Sequence, residues 1–201
     1  MIFDNTCRGN ALGLSHSWIA GGILFSTLNR LHAYKGVSSW KEALIWLGDV
    51  HRQSDEEIDE IQFWGHGRWG AMLIDGEAFD ASSLAPDHRL SADLDRVRDR
   101  LHRDTRIWIR TCETFGAKDG QGFAEKMAER FQCTIAGHTY IIGPFQSGLH
   151  IIKPGEQAYW DPWEGIREGT PEKPIQALWS KPGLPRTVSF LNINIPKRLC
   201  R

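Results

Sequence analysis

Between residues 60 and 139 short apolar runs alternate with longer amphipathic stretches, and this alternation constrains the fold more than any other feature of the chain. "EIQFWG" (60–65) reads as a strand. "SADLDRVRDRLHR" (91–103) sets Leu94, Val97 and Leu101 on one stripe, with Leu90 just ahead, and leaves the rest to charge, as an amphipathic helix does. "RIWIRTC" (106–112) is a second strand, "GQGFAEKMAERF" (120–131) a helix with Phe123, Met127 and Phe131 in line, and "CTIAGHT" (133–139) a third strand. Strand, helix, strand, helix, strand at these lengths predicts a parallel α/β sheet with crossover helices. Upstream, "GGILFST" (21–27) reads as a buried strand, and "SSWKEALIWLGDVHRQ" (38–53) as a helix with Trp40, Ala43, Leu44 and Leu47 at helical spacing behind a serine N-cap. "AMLIDG" (71–76) reads as a short strand closing in an Asp-Gly turn.

The last third reads differently. "SGLHIIKPGEQAYWDPW" (147–163) predicts a hairpin around "KPGE", and prolines at 162, 171, 174, 182, 185 and 196 break any long element beyond it. Residues 161–201 are therefore expected to wrap the domain as irregular structure rather than form a second one. The whole, 1–201, is expected to be a single domain with its core at about 20–160. No internal repeat or low-complexity tract interrupts it.

A length of 201 residues is enough to bury a core without staples, and 41% hydrophobic against 24% charged residues fits an ordinary globular chain. Nine tryptophans point to a well-filled core or an aromatic-lined groove. Lys plus Arg is 24 against Asp plus Glu 25, a net charge of -1, which gives no electrostatic case for nucleic acid or an anionic membrane as partner. The arginines of 91–103 read as a solvated helix face. Cys7, Cys112, Cys133 and Cys200 contain no CxxC pair, neither a disulfide framework nor a zinc-finger spacing, and fit a reducing compartment. The most apolar stretch, "WIAGGILFSTL" (18–28), is too short to span a bilayer and has only Arg8 as a basic residue upstream, so a cytoplasmic location is expected.

Ligands of open parallel sheets bind outside the carboxyl ends of the strands. His66, Cys112 and His138 each close a predicted strand and are expected at one edge of the sheet. A cysteine and a histidine there permit nucleophilic acyl transfer, in which the histidine handles the proton, the sulfur attacks a carbonyl and backbone N–H groups hold the oxyanion. Gly67 permits close approach of a substrate carbonyl, and "CETFGAKDGQGF" after Cys112 offers further N–H groups. His138 reads more readily as a structural or pocket-lining residue. Together with Cys112 and His66 it also permits a three-ligand zinc site with an open position, although no close-spaced ligand pair anchors one. Cys133 reads as core. Asp75, Glu77 and Asp80 fit either a pocket for a basic side chain or a solvated hairpin.

An apolar strand ending in His-Gly, followed by a second apolar strand ending in Cys, resembles the caspase-like fold cysteine peptidases. "FWGHGRWGAMLIDGEAFDASSL" is similar to the His-Gly block of caspase-like domains of bacterial proteins, and "IWIRTCETFGAKDGQGFAEKMAERFQCTIAGHT" to their cysteine block. The likeness covers about residues 20–140. It implies a three-layer α/β/α sandwich around a mainly parallel sheet, and a thiol endopeptidase that cuts protein or peptide substrates through a thioester, without cofactor or metal. It further implies His66 as the catalytic histidine, Cys112 as the nucleophile, and the N–H groups of Gly67 and Cys112 as oxyanion donors. Asp75, Glu113 and His138 are the candidates for a substrate pocket. Two features depart from the family. Glu113 sets a negative charge beside the nucleophile, which is expected to raise its pKa, and no arginine pair of the kind that selects aspartate is evident. The competing expectation is a catalytically inactive relative that binds a peptide in the same crevice.

Overall fold

The computed structural model describes residues 1–7, 13–50, 57–184 and 186–189. Six strands build the central sheet: β1 (Ile2–Asp4), β2 (Lys35–Val37), β3 (Ile58–Trp64), β7 (Leu101–Arg110), β8 (Thr134–His138) and β10 (Leu149–Ile152), in the order β10-β8-β7-β3-β1-β2. Every pairing is parallel except that of β10 with β8. A three-stranded antiparallel meander, β4 (His66–Arg68), β5 (Ala71–Ile74) and β6 (Glu77–Asp80), follows β3. The helices are α1 (Leu14–Thr27), α2 (Trp40–Asp49), α3 (Ser91–Arg98) and α4 (Ala117–Phe131). The fold is thus mixed α/β with a mostly parallel sheet, as the alternation of periods predicts.

Strand alternation sorts the sheet residues into two faces. Ile61, Phe63, Ile107, Ile109 and Ile135 point into the main core, where they meet Leu44 and Leu47 of α2, Leu94 and Val97 of α3, and Phe123, Met127 and Phe131 of α4. On the other face Met1, Phe3 and Trp64 pack against Trp18, Ile19 and Phe25 of α1. Farther along that face Trp108, Ala136 and Leu149 cluster with Ile151 and Val188. Ser39 is the predicted serine cap of α2, accepting from Glu42 N (3.2 Å), while Glu42 Oε2 accepts from Ser38 N (2.9 Å) one residue before the cap.

Several expectations are corrected. "GGILFST" is the second half of α1, not a strand: a short apolar run without alternation suits either element. Its glycines bring the helix close to the sheet. A Cβ on Gly21 would lie 2.6 Å from the Trp64 ring. The helix expected over 91–103 stops at Arg98, and Leu101 opens β7. No hairpin closes around "KPGE". Instead β10 folds back on β8, pairing Leu149 with His138 and Ile152 with Ile135, and Lys153–Glu156 forms a turn held by Lys153 N to Glu156 Oε2 (2.8 Å). Within 161–201, β11 (Ile166–Thr170) and β12 (Lys173–Ala177) form an antiparallel hairpin whose register shifts around Glu168, and short β13 (Val188–Ser189) pairs with β9 (Phe145–Gln146). Pro174 is accommodated in β12 because a two-stranded ribbon is all edge. Among the described residues no helix is long and apolar enough to cross a membrane, and Cys7, Cys112 and Cys133 are free thiols. Cys200 and Arg8 lie outside the described residues.

Candidate active site

The register of the two central strands puts the backbones of His66 and Cys112 at the same edge of the sheet. Trp64 closes β3 opposite Arg110, which closes β7 in parallel, and His66 and Cys112 each stand two residues farther on. Residues at the same offset beyond paired parallel positions leave the sheet at the same edge, on strands about 4.8 Å apart. Gly67 fixes the closeness of the approach. A Cβ at that position would lie 2.6 Å from the Cys112 carbonyl oxygen and 2.7 Å from Thr111 Cβ, and would overlap Thr114 Oγ1.

The turn that carries Cys112 is bonded on all sides. Glu113 N donates to Tyr140 O (2.9 Å), Phe115 N to His138 O (2.9 Å) and Gly116 N to Glu113 O (2.9 Å), while Gly70 N of the β4–β5 turn donates to Thr114 O (3.0 Å). The hydroxyls of Thr111 and Thr114 meet at 2.5 Å, and Thr114 Oγ1 also reaches Cys112 O at 3.1 Å. The N–H groups of Glu113, Phe115, Gly116 and Lys118 are therefore engaged, Lys118 with Pro171 O, and do not add to an oxyanion hole as the glycine-bearing stretch had suggested. The Cys112 N–H takes no part in this set.

Cys112 is half-buried, with Sγ 3.9 Å from Ile142 O. Burial and, second, the Glu113 charge push its thiol up to about 11, in the direction that the neighbouring carboxylate predicts. Glu113 takes a left-handed backbone (φ 36). Its Oε2 is buried with no hydrogen-bond partner among the described residues, and burial pushes the carboxyl up to about 7. His66 is half-buried, and its ring makes no hydrogen bond among the described residues and meets Trp18 of α1 edge-on at 6.0 Å.

His138 ends β8 at the same edge but is wholly buried. Trp108 Nε1 donates to its Nε2 (3.1 Å), so Nδ1 carries the proton and donates to Ser147 O (3.1 Å). Burial pushes this histidine down to about 3, which keeps it neutral. With both nitrogens engaged it offers neither a pocket wall nor a zinc ligand, and no group of three His, Cys, Asp or Glu among the described residues is arranged to hold a metal. Asp75 is exposed in the β5–β6 turn, where Asp75 (φ 50) and Gly76 (φ 75) supply the two left-handed residues a tight hairpin needs. Glu77 pairs with Arg89, and Asp80 accepts from Ser82 N (2.8 Å). Cys133 is fully buried, as core.

Three residues at this edge escape a reading by motif. Trp18 faces His66 from α1, a contact hidden when 21–27 is read as a strand and no helix is expected before it. The Arg110 guanidinium, two residues before Cys112, is buried between the rings of Trp64 (4.2 Å) and Trp108 (4.5 Å). Trp69 lies against Gly116, whose Cβ would stand 3.1 Å from Trp69 Nε1. The alternation Trp-x-Arg over 108–110 was the available signal that Arg110 shares a face with Trp108. No family model, curated protein or solved structure matches the chain.

Proposed function

We propose that the chain is a cysteine endopeptidase with a caspase-like α/β/α fold, in which Cys112 attacks and His66 moves the proton. The observation that carries the proposal is the register of Trp64 with Arg110, which sets His66 and Cys112 at equal offsets past neighbouring parallel strands. The close seat of Gly67 on the Cys112 carbonyl adds to it. A thiol held near 11 is protonated at rest. His66 therefore acts as a general base during attack rather than as half of a standing ion pair. Sulfur bonds to the substrate carbonyl carbon as the thiol proton passes to His66. The C–N bond then breaks, with the leaving amine taking that proton, and water, deprotonated by His66, hydrolyses the thioester. The N–H groups of Gly67 and Cys112 face the oxyanion in this scheme.

The second reading is a binding domain that receives a peptide at the same edge without cutting it. The high thiol pKa and the bare His66 ring favour it. Turnover of a mixed peptide library, read by mass spectrometry, decides between them. The peptidase reading expects cleavage products from the wild type and none from Cys112→Ala at an unchanged melting temperature. Products from both proteins would point to another nucleophile, and bound but uncut peptides to the binding domain.

A further inference from the structure

α1 is apolar on the side it turns away from the sheet as well as on the side it packs. From Leu14 to Thr27 it holds no Asp, Glu, Lys or Arg. Trp18, Ile19 and Phe25 pack on Met1, Phe3 and Trp64. On the opposite side Ala20, Ile23, Leu24, Thr27 and, just past the helix, Leu28 are exposed, at the i, i+3, i+4, i+7, i+8 spacing of one stripe. Leu14, Ile23, Leu24 and Leu28 are 48%, 51%, 56% and 47% exposed. Even Thr27 turns its hydroxyl back on its own helix, to Ile23 O (2.7 Å) and Leu24 O (2.9 Å). A helix at the surface of a domain gives its outward face to charge, as α3 does with Asp95, Arg96 and Arg98. A helix apolar all round is one that is covered all round, so the outward stripe of α1 calls for a partner.

The charge along this part of the chain selects the partner. No Asp or Glu occurs between Asp4 and Glu42, in a chain that has 25 of them, whereas Arg8, Arg30, Lys35 and Lys41 all fall in that interval. Arg30 stands at the end of the stripe, its backbone N–H donating to Phe25 O (2.9 Å) in the last turn of α1. Lys35 lies farther on, in β2, paired with Glu42 at 3.0 Å. The net charge of -1 for the whole chain averages over this face and hides it. An apolar stripe bordered in the chain by cations and by no carboxylate fits an anionic bilayer surface, where the side chains enter the acyl boundary and the cations stay among the headgroups. The domain behind α1 takes the place of the polar face that such a helix turns to water. A second copy of the chain fits less well. A 14-residue helix presents a footprint of roughly 21 Å by 10 Å, well short of the ~800 Å² that each partner of a stable pair buries. We propose that α1 docks the protein on anionic membranes, lying in the plane of the interface with Ile23, Leu24 and Leu28 inserted. Trp18 of the same helix meets the His66 ring at 6.0 Å, so docking sets the His66 edge beside the bilayer. The inference does not depend on the peptidase reading.

The test floats the full chain at low salt with vesicles of phosphatidylcholine alone, and of phosphatidylcholine and phosphatidylglycerol at seven to three, and follows the bound fraction. The wild type is expected to bind the anionic vesicles at least about fivefold more tightly than the neutral ones, the factor for one cation at such a surface. Leu24→Asp, at an exposed position where no packing is lost, is expected to lose about tenfold or more on both. Arg30→Gln is expected to lose the preference for anionic vesicles and keep the neutral binding. Ile175→Asp, at an exposed apolar residue of β12, is expected to bind as the wild type does. Circular dichroism confirms that each variant is folded. No binding to either vesicle, equal binding to both, binding that survives Leu24→Asp, or a loss in Ile175→Asp as large as in Leu24→Asp overturns the proposal. So does a lipid-free dimer in sedimentation equilibrium that Leu24→Asp dissociates, which assigns the stripe to a second copy. Peptide turnover in solution is expected to be the same for Leu24→Asp and wild type, so docking and the peptidase reading stand or fall separately.

Discussion

At the scale of single residues the site depends on what is missing from Gly67. Its backbone lies so near the Cys112 turn that any side chain must push on the Cys112 carbonyl, a backbone atom that the surrounding hydrogen bonds hold in place. Gly67→Ala is therefore expected to lower kcat/KM by at least about a hundredfold, the order of loss caused by an ångström of misplacement at a reacting centre. Gly122 in α4, where a Cβ would meet nothing within 4 Å, tests whether the effect is local through Gly122→Ala. Steady-state kinetics on both variants, with circular dichroism to confirm folding, check this. Near-wild-type kinetics for Gly67→Ala would mean that the turn is free to move and that its geometry is not a catalytic requirement.

At the scale of elements the end of β8 has a structural task. His138 joins β8 to β7 through Trp108 and to the β8–β10 connection through Ser147, and it does so as a neutral ring. His138→Ala strands the Trp108 N–H and the Ser147 carbonyl, and is expected to destabilise the fold by roughly 2–4 kcal/mol at pH 7. The pH dependence has a definite sign. The folded ring is held near 3 while the unfolded ring titrates at 6.5, so the unfolded chain takes up the proton first as pH falls. The stability contributed by His138 is complete above pH 6.5 and shrinks toward pH 3. The gap between wild type and His138→Ala in urea melts should accordingly narrow from pH 7 to pH 4.5, and a constant gap would contradict the assignment. How much of these elements could be read beforehand follows from their periodicity. β3, β7, β8, α2 and α4 carry clear periods and were legible; His66 and Cys112, read as closing their strands, stand two residues past β3 and β7, with His66 opening β4. α1 was not, because an apolar run around two glycines fits strand or helix until the position of the Trp64 ring is known. β1 and β2 are each three residues long, too short for any period to show. Trp69 carries no motif, whereas Glu113 stood out in the sequence as the acidic neighbour of Cys112.

At the scale of the whole molecule two parallel strands, β3 and β7, deliver a histidine and a cysteine to one edge, and the claim is that the two act as a single unit. Groups that form one catalytic unit lose their effect together, so removing the second after the first costs nothing more. The direct measurement is a double-mutant cycle on kcat/KM for one cleaved peptide, with wild type, His66→Ala, Cys112→Ala and the doubly substituted chain. The account predicts that each single variant falls to the same residual rate, on the order of a thousandfold or more below wild type, and that the double variant falls no further. Losses that multiply in the double variant, or a His66→Ala protein that keeps its rate, would contradict it.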